Sequence, residues 1–158
     1  MSANQKDLYQ RKRVGIIGGN YPDSKSLQNA ETMGKLIAER DYILINGGMG
    51  GVMEASAKGA KSAGGFVIGI LPGKSIEDGN RISDITIPTG LGYMRNPMVI
   101  LNADVVVAID GSYGTLSEIA YAKIYKKPIF GLNTWNIQGV ISLPIPEEII
   151  KQIDNILK

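Results

Sequence analysis

The stretch DVVVAIDGSYGTLSEIAYAKIYKKPIFGL, Asp104 to Leu132, decides the fold. It opens on an unbroken apolar run, Val105 to Ile109, and passes through a glycine-bearing loop, Asp110 to Gly114. A helical pattern follows, with Leu116, Ile119, Ala120 and Ile124 on one face at steps of three and four. A second apolar run, Ile129 to Leu132, ends the stretch. Apolar runs without polar alternation mark strands covered on both faces, so the unit reads as strand, helix, strand in a parallel sheet.

The same alternation extends outward. Strands are expected at Val14–Ile17, Tyr42–Ile45, Phe66–Ile70 and Asp84–Pro88. A helix with Ser24 as N-cap puts Leu27, Ala30, Gly34 and Ile37 on one face. The next, Gly51 to Gly65, has a small packing face of Val52, Ala55, Gly59, Ala60 and Ala63, which suits a close approach to the sheet. Asn96 as N-cap and Pro97 at the first position open a short helix. The last begins at Pro146 and buries Ile149, Ile150, Ile153 and Leu157. The expected fold is α/β: a doubly wound, Rossmann-like, mostly parallel sheet of six or seven strands with helices on both faces. It is expected as one domain, residues 13–158, after a polar N-terminal arm, residues 1–12.

Composition narrows the chemistry. Of 158 residues, 44% are hydrophobic and 20% charged, with a net charge of +2. That charge is too small and too interspersed to argue for nucleic acid or a membrane surface as partner. No apolar run approaches the roughly 20 residues of a membrane span, and the expected location is cytoplasmic. The chain has no cysteine and no histidine. Thiol nucleophiles, Ser-His pairs and the usual zinc ligands are thereby excluded, and chemistry falls to carboxylates, hydroxyls, cations and backbone amides.

In doubly wound sheets ligands bind beyond the carboxyl ends of the strands, where strand order reverses. The loops in question are GGNYPDS, NGGMGG, TGLGYMR and DGSYGT, all with glycine. The dinucleotide fingerprint G-x-G-x-x-G is missing from GIIGGNYPDS. GILPGKS has only three residues between Gly69 and Gly73, one too few for a phosphate-binding P-loop, and Lys74 reads as a solvated loop residue. Gly18, Gly19, Gly47, Gly48, Gly50 and Gly51 bare backbone amides at strand-to-helix turns, where a phosphate can be held. The alternative at each is a tight turn that needs positive φ. In the opening stretch, Thr115 and Glu118 form a T-x-x-E capping box. A cap leaves Gly111, Ser112, Tyr113 and Gly114 unexplained, whereas an anion site uses them.

Together GGFVIGILPG, NGGMGGVMEA, MRN and DGSYGTLSE resemble the LONELY GUY (LOG) family of cytokinin nucleotide phosphoribohydrolases, over Val14 to Leu132. The likeness is strongest to its short Rossmann-like relatives, which include molybdenum cofactor carrier proteins. Against the family's P-G-G-x-G-T-x-x-E, Gly111, Gly114, Thr115 and Glu118 match, while Asp110 and Ser112 depart. Arg95 matches the arginine nine residues before Asp104, and Asn96 replaces the lysine after it. The resemblance implies Arg95 and Glu118 as the catalytic pair and the glycine loops as the phosphate site. It implies either hydrolysis of nucleoside 5′-monophosphates to base and ribose 5-phosphate, or carriage of a nucleotide, phosphate or molybdopterin-type ligand without turnover. It requires no cofactor, and it implies a phosphorylated small molecule as partner and a homo-oligomer. Tyr21 or Tyr113 would stack on the base. The family has also been described as lysine decarboxylases, but nothing here reads as a site for a pyridoxal cofactor.

Overall fold

The computed structural model describes residues 8–158. Seven strands form one sheet in the order β4-β3-β2-β1-β5-β6-β7, every ladder parallel. They are β1 (Arg13–Gly18), β2 (Ile43–Asn46), β3 (Phe66–Leu71), β4 (Ile85–Pro88), β5 (Val105–Ile109), β6 (Ile129–Leu132) and the two-residue β7 (Ile141–Ser142), the seventh of the six or seven strands expected. The helices are α1 (Ser24–Glu39), α2 (Val52–Ser62), α3 (Asn96–Leu101), α4 (Tyr113–Ile124) and α5 (Pro146–Leu157). The chain steps outward from β1 to β4 and then returns to lay β5 on the other side of β1. Strand order therefore reverses between β1 and β5, and their carboxyl ends flank the crevice.

The core lies in two layers. Val14, Ile16, Leu44, Val105 and Val107 point toward α1, α2 and α5. Ile17, Ile45, Val106 and Ala108 point toward α3 and α4. Neighbouring residues alternate between layers, as the period of two requires. Among the described residues the second layer is incomplete, where both sheet faces were expected to be covered. Residues 72–84, between β3 and β4, hold only a three-residue 3-10 turn, Ile76–Asp78, so this crossover lays no helix over β3 and β4, and the helical residues 8–10 border the opening through Leu8 and Tyr9. An apolar groove of about 330 Å³ remains, lined by Phe66, Ile68, Ile70, Ile85 and Ile87 among others.

The first seven residues of the expected polar arm lie outside the described residues. Its end is anchored: Leu8 packs against the second layer, and Arg11 pairs with Asp41 at 2.6 Å. Lys74 is exposed, as read. Three local expectations are corrected. Asp23, not Ser24, caps α1, its Oδ1 accepting from the Ser26 amide at 2.7 Å. Leu27 is partly exposed, while Ser26 and Asn29 turn inward. Asn96 is no cap, because a 3-10 turn, Gly92–Arg95, runs directly into α3 and already supplies its first turn. The small face of α2 serves mainly α1: a Cβ on Gly59 would overlap the Glu31 carbonyl oxygen, and one on Gly34 the Ser56 carbonyl oxygen.

Candidate functional site

The loop after β5 turns through two left-handed residues, Asp110 (φ 54°) and Gly111 (φ 109°). This sharp turn lets α4 begin at Tyr113, with Ser112 at the N-cap. The expected capping box is therefore overturned. Thr115 sits inside the first turn, buried against Gly111, and Glu118 faces inward without reaching back. Among the described residues no side chain caps α4, so the amides of Tyr113, Gly114 and Thr115 keep their free hydrogens at the helix start. Gly51 opens α2 and Arg95 opens α3, likewise without a side-chain cap.

The buried stripe of α4 is Thr115, Glu118, Ile119 and Ala122, a rotation away from the expected apolar face. Ile124, expected inside, is 66% exposed, and Ala120 is exposed too. A helix that buries a glutamate while leaving isoleucine in water gives up stability.

Glu118 is 7% exposed and Arg95 8%. Burial pushes the Glu118 carboxyl up to about 8, against the pull of the Arg95 charge. Burial thus favours its neutral form. Burial also lowers the pKa of the Arg95 guanidinium. That guanidinium is held from three sides: Nε donates to the Ile70 carbonyl at 2.9 Å, Nη2 to the Gly47 carbonyl at 3.3 Å, and Nη1 to Asn96 Oδ1. Asn96 is fixed in turn, its Nδ2 donating to Ser117 Oγ at 3.0 Å. The lysine-to-asparagine departure thus supplies a neutral strut between α3 and α4.

These groups line a cleft of about 360 Å³ at the switch point. Gly18, Gly19, Arg95, Ser112, Gly114, Thr115 and Glu118 border it, from the sequence-derived set. Gly47, Gly48, Gly50, Gly51, Gly111 and Tyr113 do not. Gly47 lies behind the Arg95 guanidinium, where a Cβ would come within 2.7 Å of Nη2. Gly48 (φ 72°) is fixed by its amide donating to Asn46 Oδ1 at 2.9 Å. Gly50 faces open space. Gly51 (φ 63°) packs on Gly19 and Asn20, and the Val52 amide donates to the Gly19 carbonyl at 3.0 Å. Gly111 makes the turn. The NGGMGG loop therefore joins neighbouring backbones and holds Arg95, and Gly47, Gly48 and Gly51 are used in those contacts and not in bordering the cleft.

The aromatic assignment changes as well. Tyr21 is 99% exposed beside a neighbouring hollow, and Tyr113 packs on Trp135 with ring centroids 5.9 Å apart. The ring at the cleft mouth is Tyr93, joined by Met49, Met53 and Pro72. Sequence reasoning missed these four, although Tyr93 stands in the TGLGYMR loop and two residues before Arg95. Among the described residues no group of three histidine, cysteine or carboxylate side chains is arranged to hold a metal, and no helix is long and apolar enough to cross a membrane.

Fold and cleft define a Rossmann-like protein with its candidate site at the switch point of an all-parallel sheet. The chain belongs to the SLOG cluster4 family, whose sequence model matches residues 11–155. It is 43% identical to an uncharacterized protein of Archaeoglobus fulgidus over 87% of this chain and 91% of that one. It is 30% identical to the cytokinin riboside 5′-monophosphate phosphoribohydrolase LOG of Oryza sativa over 77% of this chain, and spans 55% of the rice protein's length. Among solved structures, the molybdenum cofactor binding protein of Rippkaea orientalis is similar with a TM-score of 0.89, 35% identity and coverage of 94% and 98%. The molybdenum cofactor carrier protein of Chlamydomonas reinhardtii has a TM-score of 0.86, 33% identity and coverage of 93% and 98%.

Proposed function

We propose that the cleft binds a phosphorylated small molecule with a planar heterocycle and hydrolyses the N-glycosidic bond of nucleoside 5′-monophosphates. The observation that carries this reading is the uncapped start of α4 beside the buried Glu118, whose carboxyl burial shifts toward the neutral form. Free amides at a helix N-terminus suit a phosphate. Tyr93 and the two methionines offer a flat apolar surface to a ring. A neutral carboxyl suits the leaving base: as the bond from the sugar carbon to the base nitrogen breaks, Glu118 gives that nitrogen its proton. The resulting carboxylate stabilises the cationic sugar carbon and takes a proton from the water that adds there. Base and ribose 5-phosphate leave, and the acid is restored. Arg95 orients the anion and keeps positive charge near Glu118.

A second reading, carriage without turnover of a molybdopterin-type ligand or nucleotide, is favoured by Asn96 and Ser112, which depart from the hydrolase motif, and by near-complete coverage of the carrier structures. Neither reading requires a cofactor. A homo-oligomer belongs to both, supported by the exposed apolar side chains Met98 and Leu101 of α3 and Ile124 of α4.

The test is incubation with AMP and other nucleoside 5′-monophosphates, with detection of free base and ribose 5-phosphate. Release is expected, with an alkaline limb near pH 8 as Glu118 loses its proton. Tight retention of AMP without base release would sink hydrolysis and leave the carrier.

A further inference from the structure

The segment after β6, Asn133 to Trp135, is absorbed by none of the motifs, yet it grips the loop that opens α4. Thr134 Oγ1 donates to the Asp110 carbonyl at 2.7 Å, and Trp135 Nε1 donates to the Ser112 carbonyl at 3.0 Å. The two carbonyls flank the left-handed turn at Gly111. Trp135 is itself held, packed on the second core layer and against the Tyr113 ring. The grip has a directional consequence. In a planar trans peptide the carbonyl and the following N–H point opposite ways. The Ser112 carbonyl also accepts from the Leu116 amide at 3.0 Å, so it points into the helix. The Tyr113 N–H must then point out of the helix start, at the end where Ser112, Gly114 and Thr115 border the cleft.

We propose that Thr134 and Trp135 are positioning residues that hold the Asp110 and Ser112 carbonyls so that the free amides of α4 face a bound phosphate. This rests on the reading of the cleft as a phosphate site. The two residues touch loop carbonyls and not the ligand, so they act on phosphate affinity through the loop. Trp135 is the single tryptophan of the chain, and phosphate binding at the loop it holds should alter its emission.

The experiment measures dissociation constants of AMP, inorganic phosphate and adenosine by calorimetry for the wild type, Thr134→Val, Thr134→Ser and Trp135→Phe. A hydrogen bond of ordinary net strength corresponds to a change of about three- to tenfold. Thr134→Val and Trp135→Phe are each expected to weaken AMP and phosphate by about that factor while adenosine affinity stays the same. Thr134→Ser, which keeps the hydroxyl, should stay close to wild type. An equal loss of AMP and adenosine affinity would mean a merely structural role and overturn the proposal, as would unchanged AMP binding in both variants. Should the variants unfold, the wild type decides: a saturable change in tryptophan emission on phosphate titration supports the grip, and flat emission while calorimetry records binding overturns it. A wild type that binds neither AMP nor phosphate removes the phosphate-site reading itself, and the proposal with it.

Discussion

Glu118→Gln is expected to cut base release by about 10²- to 10⁴-fold, the usual contribution of a positioned general acid, and to make the folded protein more stable at alkaline pH. Both effects come from one buried proton. In the folded chain the carboxyl is pushed up to about 8, against an ordinary value of 4.5, because burial disfavours the carboxylate more than the Arg95 charge favours it. Between those values the folded state holds a proton that the unfolded chain has released. Stability therefore falls as pH rises through this window, and is fully present only below about 4.5. A tenfold difference in proton affinity is worth about 1.4 kcal/mol, so the ionised carboxylate costs on the order of a few kcal/mol. Glutamine matches the neutral acid in shape and never ionises. Thermal melts of wild type and Glu118→Gln should nearly coincide at pH 5 and separate by several degrees at pH 9, the variant melting higher. A separation that is the same at both pH values would mean Glu118 is not a buried acid. AMP affinity should survive the change, because the phosphate is assigned to amides of α4 and not to the carboxyl.

The strands and the switch-point crevice could be read from sequence because fully buried parallel strands must be apolar throughout. Val105–Ile109 admits no polar residue on either face. The inward face of α4 could not be read that way. Periodicity counts apolar residues, and it chose Leu116, Ala120 and Ile124 because the true stripe contains Thr115 and Glu118. The same error hid the missing cap: a T-x-x-E spacing is a cap only if the helix begins at its threonine, and the left-handed pair Asp110-Gly111 starts it earlier. Glycine patterns told where backbones come close but not what they approach. Gly51 approaches Gly19, and Gly47 approaches Arg95. Nor does spacing say which way an exposed ring points, so Tyr93 stands at the cleft where Tyr21 and Tyr113 were expected. The groove among the described residues departs from the expected covered sheet, and a cause was in view: LPGKSIEDGNRIS carries no helical repeat to cover β3 and β4.

The largest loss of stability is expected where α1 crosses α2. Gly34 and Gly59 let the two helices touch backbone to backbone, since an added Cβ at either would overlap a carbonyl oxygen of the other helix. Alanine at an ordinary helix position gains about 1 kcal/mol over glycine. Here that gain is outweighed, because backbone cannot move aside as a side-chain tip can, and the helices must separate. Overpacking of this kind costs about 1–3 kcal/mol, and the separation also loosens Ala30, Met33, Ala57 and Ala60 in the layer below. Gly59→Ala is expected to lower the unfolding free energy by about 1–2 kcal/mol net, and Gly59→Val by more. Gly34→Val combined with Gly59→Val should leave little of the roughly 5–15 kcal/mol typical of such domains. Gly50→Ala is the stability control: its Cβ would meet open space and its φ is not left-handed, so its urea midpoint should match wild type. The effect should reach the cleft, because α2 begins at the Gly51–Gly19 contact. A Gly59→Ala protein that unfolds at the wild-type urea concentration would mean that the helices do not pack at backbone distance.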